Sequence, residues 1–345
     1  MRRQRGGTAS PLAGKVVLVT GAARGIGAHT ARVAAARGAR VCLVGLEPER
    51  LAALAAELGP GHLWFCADVT DQAALRAAVD GTVAALGGID AVVANAGVAN
   101  RGTLAVGDVE AMVRTVEVNL IGVMRTAAAT VDALIARRGY LLLVSSAAAF
   151  AAAPGMAAYC ASKAGVEQFG TSIRLELAHH GVAVGTAHMS WVDTDLVRDA
   201  RADLPAVAEL LAKLPWPMRR TTSVRECAEA FVRAVERRQR RVYVPRAVGL
   251  LQASRAVLVS PLADLVMARH ARRAVPELEE QVRALGRGFG VTTALPTGTG
   301  PTGTGPTDTG SADTRPADTG PTGTGPAHTG PAGIRPEPLA GDSTC

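Results

Sequence analysis

Short apolar runs alternate with amphipathic stretches from residue 16 to residue 244, and the alternation predicts strands buried on both faces, each followed by a helix. The runs at 16–19, 40–44, 63–67, 89–94, 140–145, 182–189 and 242–244 are rich in Val, Leu and Ala and short enough to be strands rather than helices. Between them, apolar positions recur at helical spacing over 28–37, 48–58, 71–86, 109–137 and 157–180. This order predicts an α/β fold, a doubly wound parallel sheet of Rossmann type with ligands at the carboxyl ends of its strands.

Beyond the last strand the pattern changes. Leu251, Leu258, Leu262 and Leu265 keep helical spacing beside Arg255, Arg269, Arg272 and Arg273, and Pro261 is expected to interrupt the helix. From about residue 296 a degenerate Thr-Gly-Pro repeat follows, with too few apolar side chains to offset the entropy of ordering. Four segments are therefore expected: a flexible start (1–11), one domain (12–246), a helical extension (247–290) and a disordered tail (291–345). The extension suits packing on the domain or on a second subunit, with peripheral membrane contact through 247–287 as the alternative.

Composition narrows the classes. With 48% apolar residues in 345, the chain can bury a sizeable core. The net charge of +7 comes from arginine, lysine standing only at 15, 163 and 213, and no aromatic-interleaved basic patch accompanies it, so no nucleic-acid partner is expected. Cys42, Cys66, Cys160, Cys227 and Cys345 are scattered, with no C-x-x-C pair, which predicts reduced thiols and a cytoplasmic setting. The basic start leads into Gly6-Gly7-Thr8 rather than an apolar signal segment, and no run of 18 to 20 apolar residues is apparent.

Two clusters carry chemistry. Thr20-Gly21-Ala22-Ala23-Arg24-Gly25-Ile26-Gly27 lies between a strand and a helix, where glycines let the backbone approach a pyrophosphate and the helix N-terminus faces the anion. Tyr159 and Lys163, four residues apart, leave one face of a helix, where an ammonium beside a phenol lowers the phenol pKa toward the range of proton transfer. Ser146, after the strand 140–145, adds a hydroxyl, with Ser145 a lesser candidate. Arg24 offers a phosphate partner, while Gly45-Leu46 ends the second strand without a carboxylate to bond a ribose hydroxyl; Glu47 reads as opening the next helix.

Together with Asp68-Val69, Asn95-Ala96-Gly97 and Asn119, these motifs resemble the short-chain dehydrogenase/reductase family over about residues 12–245. The resemblance implies an NAD(P)-dependent oxidoreductase that interconverts an alcohol and a ketone or aldehyde. In that reading Tyr159 is the general acid or base, Lys163 lowers its pKa and binds the nicotinamide ribose, Ser146 orients the substrate oxygen, and Asn119 anchors a water in the proton relay. Gly21, Arg24, Gly25, Ile26, Gly27, Asp68, Val69, Asn95, Ala96, Gly97, Val192 and Thr194, with Tyr159 and Lys163, would hold the cofactor. Asp68-Val69 would meet the adenine edge and Thr194 the carboxamide. Arginine at position 24 favours NADP over NAD. Met189-Ser190-Trp191 stands where the family usually has Pro-Gly, which puts the nicotinamide pose in question. Phe150, Met156, Met189, Trp191 and Trp216 suit an apolar pocket and hence a hydrophobic small molecule, under a lid that the resemblance places after Thr194, through Leu204-Pro205 and Leu214-Pro215-Trp216-Pro217-Met218. The resemblance also implies a homodimer or homotetramer through the helices of Asn119 and Tyr159. The competing class is a non-catalytic dinucleotide-binding regulator, which would have no need of a proton-transfer set.

Overall fold

The computed structural model describes residues 10–206, 209, 219–258 and 260–291. The expected lid segment 214–218 and the repeat tail lie outside them, as does most of the expected flexible start. Among the described residues, seven strands form one parallel sheet in the order β3-β2-β1-β4-β5-β6-β7. They are β1 (Val16–Thr20), β2 (Arg40–Gly45), β3 (Leu63–Cys66), β4 (Ala91–Ala94), β5 (Tyr140–Val144), β6 (Ala183–Met189) and β7 (Arg241–Val244). The order reverses between β1 and β4, so a crevice opens at the carboxyl ends of those two strands.

Helices cover both faces: α1 (Gly25–Ala36), α2 (Pro48–Leu58), α3 (Gln72–Leu86), α4 (Val109–Val116), α5 (Gly122–Arg137), α6 (Ala157–Glu176), α7 (Asp195–Asp203) and α8 (Val224–Arg237). The core is Val- and Leu-rich sheet packed against Ala-rich helix faces, with Val17, Val19, Val41, Leu43, Val93 and Leu142 almost inaccessible. Small residues let α1 lie close to the sheet through Ala28, Ala31 and Ala34, where larger side chains would overfill the layer. The pattern had not separated α8, whose Cys227, Phe231, Val232 and Val235 face that same core.

The long helix read over 109–137 is continuous but not uniform. A π-helical turn, Glu117–Ile121, joins α4 to α5. The whole run is long and apolar enough, by length and composition, to cross a membrane, contrary to the expectation that no stretch would be. It serves as a layer helix, because Val123, Ala127 and Leu134 are buried and α5 packs on β4, β5 and α3.

Pro261 opens a helix rather than breaking one. The extension forms α9 (Val248–Ala253), α10 (Arg255–Leu258) and α11 (Pro261–Leu285). Ser260 caps α11 through the Ala263 N–H, and Pro261 takes a first-turn position where a missing N–H costs nothing. Packing on the domain holds for the second half of α11, whose Leu278 and Val282 are buried with Leu204. Leu262, Leu265, Val266 and Met267, in its first half, stay exposed. Cys42, Cys160 and Cys227 are free thiols, whereas Cys66 is disulfide-bonded, a departure from uniformly reduced cysteines.

Candidate active site

Four strand ends converge on one crevice. At β1, Gly21 has φ +63°, in the region that favours glycine, and a Cβ there would lie 2.8 Å from Ala96 Cα. A Cβ on Gly27 would lie 2.1 Å from the Gly21 carbonyl oxygen, so only glycine lets α1 begin this close to the turn. Asn95, at the end of β4, ties the turn down: its Nδ2 donates to the carbonyls of Thr20 (3.0 Å) and Gly21 (3.3 Å). Thr20 Oγ1 in return accepts from the N–H groups of Asn95 (3.0 Å) and Ala96 (3.2 Å). Thr20 opens the glycine motif but had been given no role, although a hydroxyl ending a glycine-turn strand is the signal that marks it.

The cradle fits a dinucleotide pyrophosphate. The first turn of α1, from Gly25 through Ile26 and Gly27, has no acidic residue, and the Arg24 side chain does not cap it, so helix N–H groups are directed at the crevice. Arg24 pairs instead with Glu47, Nε to Oε2 3.3 Å, and Arg50 Nε lies 3.7 Å from Oε1 of the same carboxylate. Glu47 does occupy the N-cap of α2, as the sequence predicts, but its side chain caps nothing there. The reading of the sequence missed this pairing, because a carboxylate at a helix start can serve its own helix or a neighbouring turn with equal economy of spacing.

Asp68 lies 2.5 Å from Arg114 Nη2, and its Oδ1 accepts from the Thr70 N–H at 2.8 Å. Burial works to raise its pKa, but the Thr70 bonds and Arg114 together hold it below the ordinary aspartate value. Val69 is buried against Gly122, where a Cβ would lie 2.6 Å from Val69 Cγ2. The carboxylate is thus engaged by α4, an engagement the adenine-edge reading did not include.

On the opposite wall Tyr159 and Lys163 share one face of α6, with Lys163 Nζ 5.6 Å from the phenol ring centroid. Lys163 is 3% exposed and its Nζ donates to the Val144 carbonyl at 3.0 Å. Burial lowers its pKa to about 8. Burial also raises the Tyr159 pKa, and a hydrogen bond from Ser146 opposes that rise. The expectation that the ammonium would pull the phenol down is therefore not met here: desolvation is the larger effect, and the opposing partner is the serine. Ser146 caps the short 3-10 turn Ala147–Ala149, accepting from the Ala148 N–H at 3.2 Å, and its hydroxyl donates to the Met189 carbonyl at 3.4 Å. Ser145 is turned away, donating to the Lys163 carbonyl at 2.8 Å.

Asn119 sits in the middle of the π turn and is fully buried. Its Oδ1 accepts from the Val98 N–H at 2.8 Å, and its Nδ2 donates to the Val98 carbonyl at 2.8 Å and to Ser162 Oγ at 3.2 Å. Its bonds therefore reach two other elements rather than its own helix. A Cβ on Gly97 would lie 3.1 Å from Asn119 Oδ1 and 3.6 Å from Lys163 Nζ, so glycine keeps both groups close beneath the crevice.

The loop after β6 closes the arrangement. In place of Pro-Gly, Met189 continues the pairing with Val244, and the Ser190 N–H donates to the Val244 carbonyl at 2.9 Å. Val192 bridges to Thr222, and the next turn brings Thr194 over the glycine segment, its Cγ2 3.7 Å from a Cβ built on Gly25. Of the residues expected to line an apolar pocket, Met189 is buried in the main core and Phe150 packs instead with Ala149, Val248 and the His188 ring, whereas Trp216 lies outside the described residues.

Known proteins carry the same framework. The family model described as short chain dehydrogenase matches residues 15–205. The chain is 36% identical over 194 residues to a trans-4-hydroxycyclohexanecarboxylate dehydrogenase of Sinomonas cyclohexanicum, covering 54% of this chain and 75% of the relative. It is 37% identical over 186 residues to a 3-alpha-(or 20-beta)-hydroxysteroid dehydrogenase of Mycobacterium tuberculosis, covering 54% and 72%. The crystal structure of a short-chain type dehydrogenase/reductase from Mycobacterium marinum superposes with a TM-score of 0.62 at 26% identity, covering 67% of this chain and 94% of that one.

Proposed function

Since the chain belongs to the short-chain dehydrogenase family, and is thereby an oxidoreductase acting on alcohols or carbonyls, we propose that it uses Ser146, Tyr159, Lys163 and Asn119 to interconvert a hydrophobic alcohol and its ketone, with NADP preferred over NAD. The observation that carries this reading is the shared crevice: the glycine cradle at β1 and the Ser146–Tyr159–Lys163 set at β5 and α6 lie at carboxyl ends of one parallel sheet, separated by β4 alone.

A bound nicotinamide would supply or accept hydride at the substrate carbon. Tyr159 exchanges the proton at the substrate oxygen, and burial keeps the phenol protonated at neutral pH, as a general acid for reduction must be. Ser146 Oγ, positioned by the Ala148 N–H, turns its single proton from the Met189 carbonyl to the substrate oxygen, orienting it and stabilising its developing charge. Lys163 passes protons from the Asn119 side of the crevice and binds ribose hydroxyls. Gly21, Gly25, Ile26 and Gly27 hold the pyrophosphate, with Asn95, Ala96 and Gly97 beneath, Asp68 and Val69 at the adenine, and Val192 and Thr194 at the carboxamide.

The NADP preference rests on charge. Arg24 and Arg50 both approach Glu47 beside the end of β2, where Gly45 contributes no acid of its own. A 2′-phosphate would suit those two guanidinium groups. Hydrophobic character of the substrate draws on the hydroxysteroid and hydroxycyclohexanecarboxylate dehydrogenases among the relatives. Tyr159→Phe should lower turnover by about 10²–10⁴-fold while cofactor affinity, measured by fluorescence titration, stays the same; retained turnover would remove Tyr159 from the mechanism.

A further inference from the structure

The extension beyond the family-matched segment reaches back to the crevice. On α11, Leu278, Val282 and Leu285 recur at helical spacing and turn one face inward, packing with Leu204, Val106 and Ala206. Polar bonds fix the same face at its margins. Thr103 Oγ1 donates to Glu279 Oε1 at 2.9 Å, the Ala206 N–H to Gln281 Oε1 at 3.0 Å, and the Arg101 N–H to the Gly288 carbonyl at 2.7 Å. Asp203 bridges the two sides, paired with Arg287 and, at 3.4 Å, with the buried Arg101. A Cβ on Gly155, four residues before Tyr159, would lie 2.8 Å from Leu278 Cδ2.

These partners belong to the three chain segments that leave the carboxyl ends of β4, β5 and β6, between which a substrate must enter to reach Tyr159. One helix face touching all three is placed as an outer wall of the substrate site. We propose that residues 278–288 form that wall and that Leu278 is a specificity-determining side chain, its bulk setting which hydrocarbon ring system fits against the Gly155 turn. The proposal rests on the alcohol–ketone reading above and extends it to the substrate's size.

Two ketones of different size test it: cyclohexanone and the bicyclic 2-decalone, each reduced with NADPH. Leu278→Ala should raise the ratio of kcat/KM for decalone over cyclohexanone about tenfold, and Leu278→Phe should lower it about tenfold, within the range a methylene or more contributes in an apolar pocket. A ratio unchanged within about twofold in both variants, with thermal unfolding and NADPH affinity intact, would overturn the proposal. If Leu278→Ala does not fold, Arg287→Ala removes one margin of the wall, and hydrogen exchange over 99–106 and 150–156 replaces the ratio. Exchange there faster by about fivefold or more, with the strands unaltered, supports the wall, and no change overturns it. A wild-type protein silent on both ketones, and on a broader panel, would count against the function itself, and the exchange measurement would then decide the wall separately.

Discussion

Lys163 occupies surroundings that disfavour its own charge, and this has a consequence for stability. Its pKa in the folded chain is about 8 against 10.5 for a free lysine. Below pH 8 the ammonium is present folded and unfolded alike, and its burial is a constant cost. Between pH 8 and 10.5 the folded protein has released a proton that the unfolded chain still holds, so stability rises with pH. The melting temperature of the wild type relative to Lys163→Met should therefore climb across that window; a constant difference would mean that the lysine is not desolvated. At the other wall, Arg24→Ala should weaken NADPH about tenfold, or about 1.4 kcal/mol, and NADH much less, while Glu47→Gln should strengthen NADPH by removing a competing carboxylate. Equal losses for both cofactors by calorimetry would make Arg24 merely structural. Ser146, Tyr159, Lys163 and the glycines were singled out by their spacing taken together with the resemblance to the family, since neither cluster is specific by itself. The partners of Arg24, Asp68 and Asn119 stayed hidden, because each is a choice among several acceptors that only the tertiary arrangement makes.

Most regular elements with one or both faces buried were legible, α8 being the exception despite its buried face. The helix over 48–58 has the bounds read from its pattern, since Pro48 starts it and Gly59 follows it. The π turn was not legible, because it inserts one residue without altering the apolar content of the helix. Its effect is to swing Asn119 out of the regular ladder and toward Val98 and Ser162, a feature typical of functional sites. Asn119→Leu keeps the volume but leaves the Val98 N–H and C=O without partners. Each such loss costs about 1–3 kcal/mol, so the melting temperature should fall by several degrees and turnover with it. A variant as stable as the wild type would show that Val98 finds water instead.

At the scale of the whole molecule, exposed apolar residues lie on the helices of both site residues: Val109 and Val113 on α4, Leu175 on α6. The resemblance implies a dimer or tetramer formed through these helices, so sedimentation of the purified chain should give two or four times its mass. Replacing Val113 and Leu175 by glutamate should return it to the monomer; an unaltered assembly would place the contact elsewhere. The division of labour within one chain was only partly readable. The Rossmann core announced itself through periodicity, whereas the extension looked like an appendage until its face toward Leu204 was seen.

That helix is encoded after the last strand, downstream of every residue proposed to hold the cofactor. Lineages could therefore exchange, lengthen or redecorate this terminal piece and retune what the protein accepts while leaving the hydride and proton machinery unaltered. A modular edge of this kind makes selectivity the cheapest property of the molecule to change.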